Sequence, residues 1–126
     1  MKLAKFFCLV ALVMALSGCE SKSVTFSGEG KEWSGEVNIH KISDRESVEI
    51  ELTYKEKDRN SVGKFSYKIE APSWSISETG VKLNKEGIYV DEVSGSDERS
   101  TPEDSEIILT VRWDEKSETI KLKKKE

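Results

Sequence analysis

Cysteine, histidine and proline are the scarcest residues of chemical or conformational importance in this sequence. Its only cysteines are Cys8 and Cys19, its only histidine is His40, and it has two prolines. Past residue 19 there is no thiol, which excludes a disulfide and a thiolate metal site from the rest of the chain. A fold formed there must therefore be stabilised by packing alone.

Strong helix formers are also scarce past residue 19, where four leucines, one alanine and no methionine stand against eight valines and nine isoleucines. This composition favours strands. Val48, Ile50, Leu52 and Tyr54 alternate with polar residues, as expected for a strand with one buried face. Similar short alternations recur between turn residues. The pattern predicts an all-β, antiparallel, immunoglobulin-like β-sandwich of seven or eight strands.

The individual strands are predicted from apolar alternation and from the turn residues between them. Asn84-Lys85-Glu86-Gly87 is typical of a tight hairpin loop with Gly87 in the left-handed conformation. The longest loop is predicted between Ser94 and Pro102, where apolar residues are nearly absent. The apolar segments on which this prediction rests cover residues 23–27, 33–40, 48–54, 62–70, 74–76, 81–83, 88–90, 106–113 and 120–122.

The first eighteen residues have the three parts of a secretory signal peptide. Lys2 and Lys5 form a basic start, Phe6–Ala15 is an apolar run, and the small residues Ser17-Gly18 follow. The apolar run is shorter than the roughly 20 residues that cross a bilayer core. We therefore expect this segment to be cleaved off and not to span a membrane.

The end of this leader, Leu16-Ser17-Gly18-Cys19, resembles the lipobox of bacterial lipoproteins. The resemblance implies cleavage between Gly18 and Cys19, and a diacylglyceryl group, with palmitate-type chains, on the Cys19 thiol. Two acyl chains are what stable membrane anchoring requires. It also implies an extracytoplasmic domain anchored to the outer face of a bacterial cytoplasmic membrane. The alternative is an ordinary secretory signal in which Cys19 has no role.

A second pattern, Phe26-x-Gly28-Glu29-x-x-x-Trp33, resembles one found in small uncharacterised lipoproteins of Gram-positive bacteria. This resemblance implies a compartment and a sandwich fold, and it implies no site residues. The expected organisation is a signal peptide at 1–18, a lipid-anchored tether at 19–22, a β-sandwich domain at 23–123 and a basic tail at 124–126.

Net charge and tether length limit the expected partners. Removal of Lys2 and Lys5 with the leader leaves 20 − 2 = 18 basic and 24 acidic residues, a formal charge of 18 − 24 = −6. This argues against a nucleic-acid partner, which requires a basic surface. A tether of four residues reaches about 13 Å. We therefore expect contact with the membrane through the diacylglyceryl group, and a protein partner in the envelope.

An acidic segment near the long loop is the first candidate site. Its carboxylates are the kind of oxygen ligand that Ca²⁺ prefers, but their spacing matches no EF-hand loop. Three interpretations are open: a solvated loop, a docking surface for a basic partner, and a cation site. The residues concerned are Asp91, Glu92, Asp97, Glu98, Glu103 and Asp104.

The tryptophans and the histidine are the remaining candidates. Trp33 and Trp113 are in phase with inward-facing residues, so we expect them in the core. Trp74 lies in a short strand that follows a proline, so two interpretations are open for it: a place in the core, and stacking on a ligand. His40 lies on a polar strand face, where Glu36 is about 13 Å away along the strand. We expect His40 to be an ordinary solvated side chain.

No signature of an enzyme or a cofactor site is present: Gly-x-Ser-x-Gly, His-Glu-x-x-His and a Gly-rich phosphate loop are all absent. We expect no metal and no cofactor. The sequence favours a non-enzymatic envelope binding or accessory module that acts through loops or an open sheet edge. The alternatives are an inhibitor of a lytic enzyme or protease, and a small hydrolase that uses paired carboxylates.

Overall fold

The computed structural model describes residues 21–42, 45–94 and 101–125, and their regular structure is β. Within those ranges the only helical segment is a 3-10 turn at Arg59–Ser61. The all-β prediction is confirmed, and the strand count lies within the predicted seven or eight. The strands are β1 (Ser21–Glu29), β2 (Trp33–Ile42), β3 (Arg45–Tyr54), β4 (Phe65–Glu70), β5 (Ser75–Val81), β6 (Ile88–Ser94), β7 (Ile107–Trp113) and β8 (Lys116–Lys124).

The eight strands form one curled sheet in the order β5-β4-β7-β8-β1-β2-β3-β6. Every pair of neighbours is antiparallel. The β1–β8 junction is the shortest, with residue pairs only at Phe26 and Ser27 of β1. The Lys125 amide extends it by donating to the Thr25 carbonyl oxygen at 2.8 Å. Strands β5 and β6 are therefore the two edges of the sheet.

Two glycines permit the curl at this junction. Gly28 and Gly35 are directly opposite each other on β1 and β2. A Cβ atom on Gly28 would collide with the Lys121 carbonyl oxygen, and one on Gly35 would lie 2.5 Å from Cδ2 of Leu109. The Lys121 backbone cannot move aside, so Gly28 permits the close approach of β1 and β8, whereas a side chain at Gly35 would require the buried Leu109 side chain to shift.

The core lies on the inner face of the curl and is centred on Trp33. The Trp33 ring centroid is 5.2 Å from Tyr54, 5.0 Å from Phe65 and 5.5 Å from Trp113. Phe65 and Trp113 lie on β4 and β7, which are separated from β2 in the sheet order. The curl therefore packs the inner face against itself. Trp33 and Trp113 are both buried, which confirms the prediction that they belong to the core.

The predicted hairpin between β5 and β6 is wrong, although its turn is present. Gly87 has a φ of 79°, as predicted, and the Asn84 Oδ1 atom accepts hydrogen bonds from the Glu86 and Ile88 amides. However, β5 pairs with β4 and β6 pairs with β3. The turn residues determine the local reversal, whereas strand pairing is decided by which apolar faces pack together.

Several strands extend further than apolar alternation predicts. β1 begins at Ser21, so residues 21–22 of the expected tether belong to the sheet. β6 continues to Ser94, past the apolar positions, and β8 includes Lys124 of the expected tail. Conversely, β4 begins at Phe65 rather than at Val62. Backbone hydrogen bonds continue a ladder without apolar side chains, which is why alternation alone misplaces these ends.

Candidate functional site

Buried polar atoms without a hydrogen-bond partner are uncommon, and each requires an explanation. In the described part of the chain these atoms are Nε1 of Trp33, the hydroxyl of Tyr67 and Oγ of Ser105. The Trp33 indole lies within the aromatic core, and Ser105 lies in a loop. The Tyr67 hydroxyl is close enough to the side chains of Tyr89, Asp91 and Glu78 for them to act on it electrostatically, and this makes its surroundings a candidate site.

These surroundings are the gap between the two edge strands, which we call the seam and define by Tyr67, Glu78, Tyr89 and Asp91. Tyr67 on β4 pairs with Glu78 on β5, next to a β-bulge. On β6, Tyr89 and Asp91 are opposite two buried residues of β3 and therefore face inward. The curl of the sheet brings these side chains from both edges together.

The seam is lined by packed aromatic rings. The Tyr89 ring centroid is 5.5 Å from that of Tyr67 and 5.7 Å from that of Phe65, with an edge-on geometry to Phe65. The Tyr89 hydroxyl donates to Oδ2 of Asp91 over a long 3.4 Å. Tyr67 is only 3% exposed, and none of the described polar atoms meets its hydroxyl in hydrogen-bond geometry.

Both phenols are held in the protonated state. Burial raises the pKa of Tyr67 well above its ordinary value, and the adjacent Tyr89 phenol and the Asp91 and Glu78 carboxylates raise it further. Burial also raises the pKa of Tyr89; the neighbouring Tyr67 hydroxyl, acting as a donor, lowers it, and the Asp91 and Glu78 carboxylates raise it. Each hydroxyl therefore retains its proton at neutral pH and has lone pairs available to accept a hydrogen bond.

Lys68 and Arg112 line the same surface cavity as Glu78, but the carboxylates of the seam form no ion pair with them. Among residues 21–42, 45–94 and 101–125, no lysine or arginine forms an ion pair with Asp91 or Glu78, whereas Glu103 and Glu106 each pair with a lysine. The seam thus presents two carboxylates and an unpartnered hydroxyl between open sheet edges. This arrangement suits a group that donates hydrogen bonds and carries positive charge.

Sequence reasoning found only part of this site. Asp91 was among the predicted acidic residues, but Glu78, Tyr67 and Tyr89 were not. A signal was present, because Tyr67 alternates in phase with Phe65 and Ile69, which places it on the inner face, and a buried tyrosine hydroxyl usually finds a partner. The contact between β4 and β6 side chains has no local signature, since the two strands do not pair and their residues lie far apart in the sequence.

The described members of the predicted acidic set do not converge. Asp91 faces the seam, and Glu92 lies on the outer face opposite Glu49. The Lys22 and Lys124 ammonium groups bind the Glu103 carboxylate at 3.0 and 3.7 Å and lower its pKa. Within the described ranges, no three or more His, Cys, Asp or Glu side chains are grouped to hold a metal ion. Two further members, Asp97 and Glu98, lie outside the described residues, and Asp104 is exposed in a turn.

A second polar cluster, which we call the buried polar network, consists of Lys41, Glu46, Trp74 and Thr101. Glu46 is 2% exposed, and its carboxylate accepts hydrogen bonds from the Thr101 amide at 3.0 Å and the Thr101 hydroxyl at 2.9 Å. Nζ of Lys41 lies 3.5 Å from the same carboxylate and donates to the Thr101 carbonyl oxygen at 2.8 Å. The network joins β2 and β3 to the segment before β7.

The surroundings of Trp74 and of His40 do not favour a role in binding a ligand. The Trp74 indole is 8% exposed and donates from Nε1 to the Thr101 hydroxyl at 2.7 Å. Its burial favours a part in the core and the network over stacking on a ligand. Nδ1 of His40 lies 2.9 Å from Oγ of Ser23 on the outer face of the sheet.

The outer face of β2, β3 and β6 is a third polar region, which we call the acidic face. Glu36 is directly opposite Glu51, and Glu49 is directly opposite Glu92. Like charges in directly opposed positions destabilise a sheet. The acidic face therefore has a cost in stability, and it adds negative charge on the outer side of β6, next to the seam.

The predicted lipidation residue Cys19 and its neighbour Gly18 lie outside the described residues. Across the part of the chain that the structure covers, no helix has the length and apolar character to cross a membrane.

Comparison with known proteins identifies no relative: no family model, no curated protein and no solved structure matches this chain.

Proposed function

We propose that this protein is a lipid-anchored, non-enzymatic binding module of the bacterial envelope that binds its partner at the seam. The observation that carries the binding role is the Tyr67 hydroxyl, which is buried, protonated and unpartnered beside Asp91 and Glu78. A buried polar group without a partner lowers stability by about 1–3 kcal/mol. A ligand that hydrogen-bonds to this hydroxyl would remove that cost.

The anchor proposed at Cys19 is supported by the position of the first strand. β1 begins at Ser21, so about 7 Å of chain separates Cys19 from the sheet. Ser21 pairs with Ile42, which is 62% exposed at the same end of the sheet. An exposed isoleucine beside the anchor is suited to contact with the bilayer surface. Under this proposal the domain remains at the outer face of the cytoplasmic membrane.

We further propose that the curled sheet is an immunoglobulin-like sandwich with β5, β4, β7 and β8 in one layer and β1, β2, β3 and β6 in the other. The contacts of Trp33 with Phe65 and Trp113 across the inner face support two opposed layers. Sandwich layers lie about 10 Å apart with their strands within about 30° of each other. An experimental structure in which the strands instead close into a barrel would contradict this proposal.

The absence of catalysis is part of the proposal, and it rests on the chemistry of the seam. Phenols that keep their protons are poor nucleophiles and poor general bases at neutral pH. An inhibitor of a lytic enzyme or protease is a special case of the same binding role. Inhibition assays with lysozyme and with envelope proteases test that alternative directly.

The anchor is tested with Cys19→Ala. In cells, we expect the wild-type chain to partition with detergent and to incorporate a labelled fatty acid, and the variant to do neither. Ser23→Ala, which leaves Leu16-Ser17-Gly18-Cys19 intact, is the matched control. Fatty-acid labelling of the Cys19→Ala variant would show that the anchor is elsewhere.

The binding role is tested by photo-crosslinking in intact cells. A photoreactive residue at Val90, which is 58% exposed on β6, lies at the proposed binding edge. One at Thr119, an exposed position on β8, is the control. We expect a discrete adduct from position 90 that is weakened by Asp91→Asn. Equal adducts from both positions, or none from position 90, would count against binding at the seam.

A further inference from the structure

The strands at the seam are positioned to receive another extended chain. β5 and β6 end the sheet, so the outer side of each has backbone groups without a strand partner among the described residues. Edges of this kind bind extended segments by strand addition, in which the main chain supplies affinity and alternate side chains supply specificity. The Val90 side chain is exposed on β6 and adds apolar surface for such a segment.

The charges beside the edge indicate what the side chains of that segment carry. Asp91 faces the inner side of β6, and Glu92, the next residue, faces the outer side opposite Glu49. Both sides of the edge strand are therefore negative. Because alternate side chains of an added strand point to the same face, a row of lysines at every second position would meet a carboxylate whichever face it occupies.

The Tyr67 hydroxyl supplies the specific contact. Its lone pairs lie in the seam without a hydrogen-bond donor, and the carboxylates of Asp91 and Glu78 have no cationic partner among the described residues. An ammonium or guanidinium group suits acceptors of this kind, since it donates several hydrogen bonds and carries positive charge. The Asp91 carboxylate already accepts from the Tyr89 hydroxyl and the Glu92 amide, and it retains lone pairs for a further donor. The aromatic rings of Tyr67 and Tyr89 add faces to which a cation is attracted.

We propose that the seam binds a lysine or arginine side chain presented by an extended basic segment of a partner protein. This inference rests on the proposed function, because it names the chemistry of the partner at the same site. A metal ion is a poorer fit, since Ca²⁺ takes six to eight oxygen ligands and the described residues contain no such group.

The test uses the full lipidated chain in detergent micelles, with isotope-labelled backbone amides observed by NMR. The probe is an extended peptide of alternating threonine and lysine, and the matched peptides replace lysine with glutamine or glutamate. We expect the lysine peptide to shift amide resonances of β5 and β6, and its affinity to fall with added salt. The glutamine peptide should bind at least about tenfold more weakly, because it lacks the charge-assisted hydrogen bonds.

Three variants separate this role from a structural one. Tyr67→Phe should lower the affinity for the lysine peptide several-fold. It should not lower the unfolding midpoint at neutral pH, because it removes a hydroxyl that has no partner in the free protein. Asp91→Asn should lower the affinity for the lysine peptide about tenfold. Glu36→Gln, which makes the same charge change, should weaken binding less than about twofold, because Glu36 lies two strands from β6 on the outer face, where solvent and salt screen its charge.

Each other outcome overturns a defined part of the inference. Equal binding of the lysine and glutamine peptides, with shifts at the seam, would overturn the cationic ligand and leave the binding role intact. No shift at β5 or β6 with any peptide would overturn both the ligand and binding at the seam. If Glu36→Gln and Asp91→Asn lower the affinity equally, the peptide responds to the overall negative charge of the protein, and specific binding at the seam is overturned. Binding of a free alkyl diamine as tight as that of the lysine peptide would overturn the extended-segment partner.

Discussion

At the scale of single residues, Glu46 is the clearest case of a charged group in an unexpected place. It follows a polar turn in the sequence, yet it is almost fully buried and has a partner for both carboxylate oxygens. Its position two residues before Val48 places it on the inward-facing side of β3. A buried charge is tolerated only when it is paired and hydrogen-bonded, and Lys41 and Thr101 supply those partners.

Replacement of Glu46 by alanine should therefore destabilise the protein. Loss of one member of a buried ion pair costs about 3–5 kcal/mol, and we expect about 2–3 kcal/mol here because Lys41 can turn toward solvent. Urea unfolding measures the change, and Glu56→Ala, in an exposed turn, is the control. Exchange of the Thr101 amide hydrogen should also accelerate. A midpoint equal to that of the control would contradict a stabilising role for the network.

At the scale of elements, the strand pairs combine good packing on the inner face with repulsion on the outer one. The inner positions of β2 and β3 are buried, while Glu36–Glu51 and Glu49–Glu92 bring like charges together on the acidic face. Side-chain pairs in directly opposed positions contribute about 0.2–1 kcal/mol, with a sign that depends on charge. The outer face is therefore where stability can be gained.

Glu49→Lys should stabilise the sheet by about 0.5–1 kcal/mol, because it turns the repulsive pair with Glu92 into an attractive one. The gain in the free energy of unfolding should shrink as salt is added. Glu56→Lys makes the same charge change away from the sheet and is the control for net charge. If both variants gain equally, the effect comes from the overall charge and not from the strand pair.

At the scale of the whole molecule, the curl joins parts of the chain that are distant in sequence, and the seam is its clearest product. Tyr67 lies on β4, next to one edge strand, and Tyr89 lies on the other edge strand, β6, yet their rings are in contact. The raised pKa of Tyr67 exists only while this arrangement persists, so its titration reports on the global fold.

Stability should therefore fall as the solution becomes alkaline. Above about pH 10 a tyrosine in the unfolded chain ionises. Folded Tyr67, whose pKa is raised, keeps its proton, so the folded state binds more protons than the unfolded state and the free energy of unfolding decreases with pH. Tyr67→Phe removes this contribution and should flatten the alkaline loss, as measured by urea unfolding at several pH values. Tyr54→Phe, which removes the hydroxyl of another core tyrosine, is the control, and parallel curves for Tyr67→Phe and the wild type would contradict the assignment.

The strands themselves were largely predictable. Alternation identified β2, β3 and β7 and the inward residues Trp33, Ile50 and Trp113, because a strand with one wet face repeats every two residues. The ends of β1 and β6 were not predictable, because polar residues continue a backbone ladder without leaving a pattern. The pairing of β6 with β3 was also missed, since the Asn84–Gly87 turn looks the same whether or not its strands are neighbours.

What the sequence determined by itself is the class of fold, the core positions and the prediction of an anchored N-terminus, all of which depend on local composition and period. What only the tertiary structure decided is the set of neighbours across the curl. Gly28 and Gly35 permit that curl, and a glycine in a strand does not reveal which backbone or side chain approaches it. The seam exists because non-local packing brings two sheet edges together, and no short stretch of sequence contains that information.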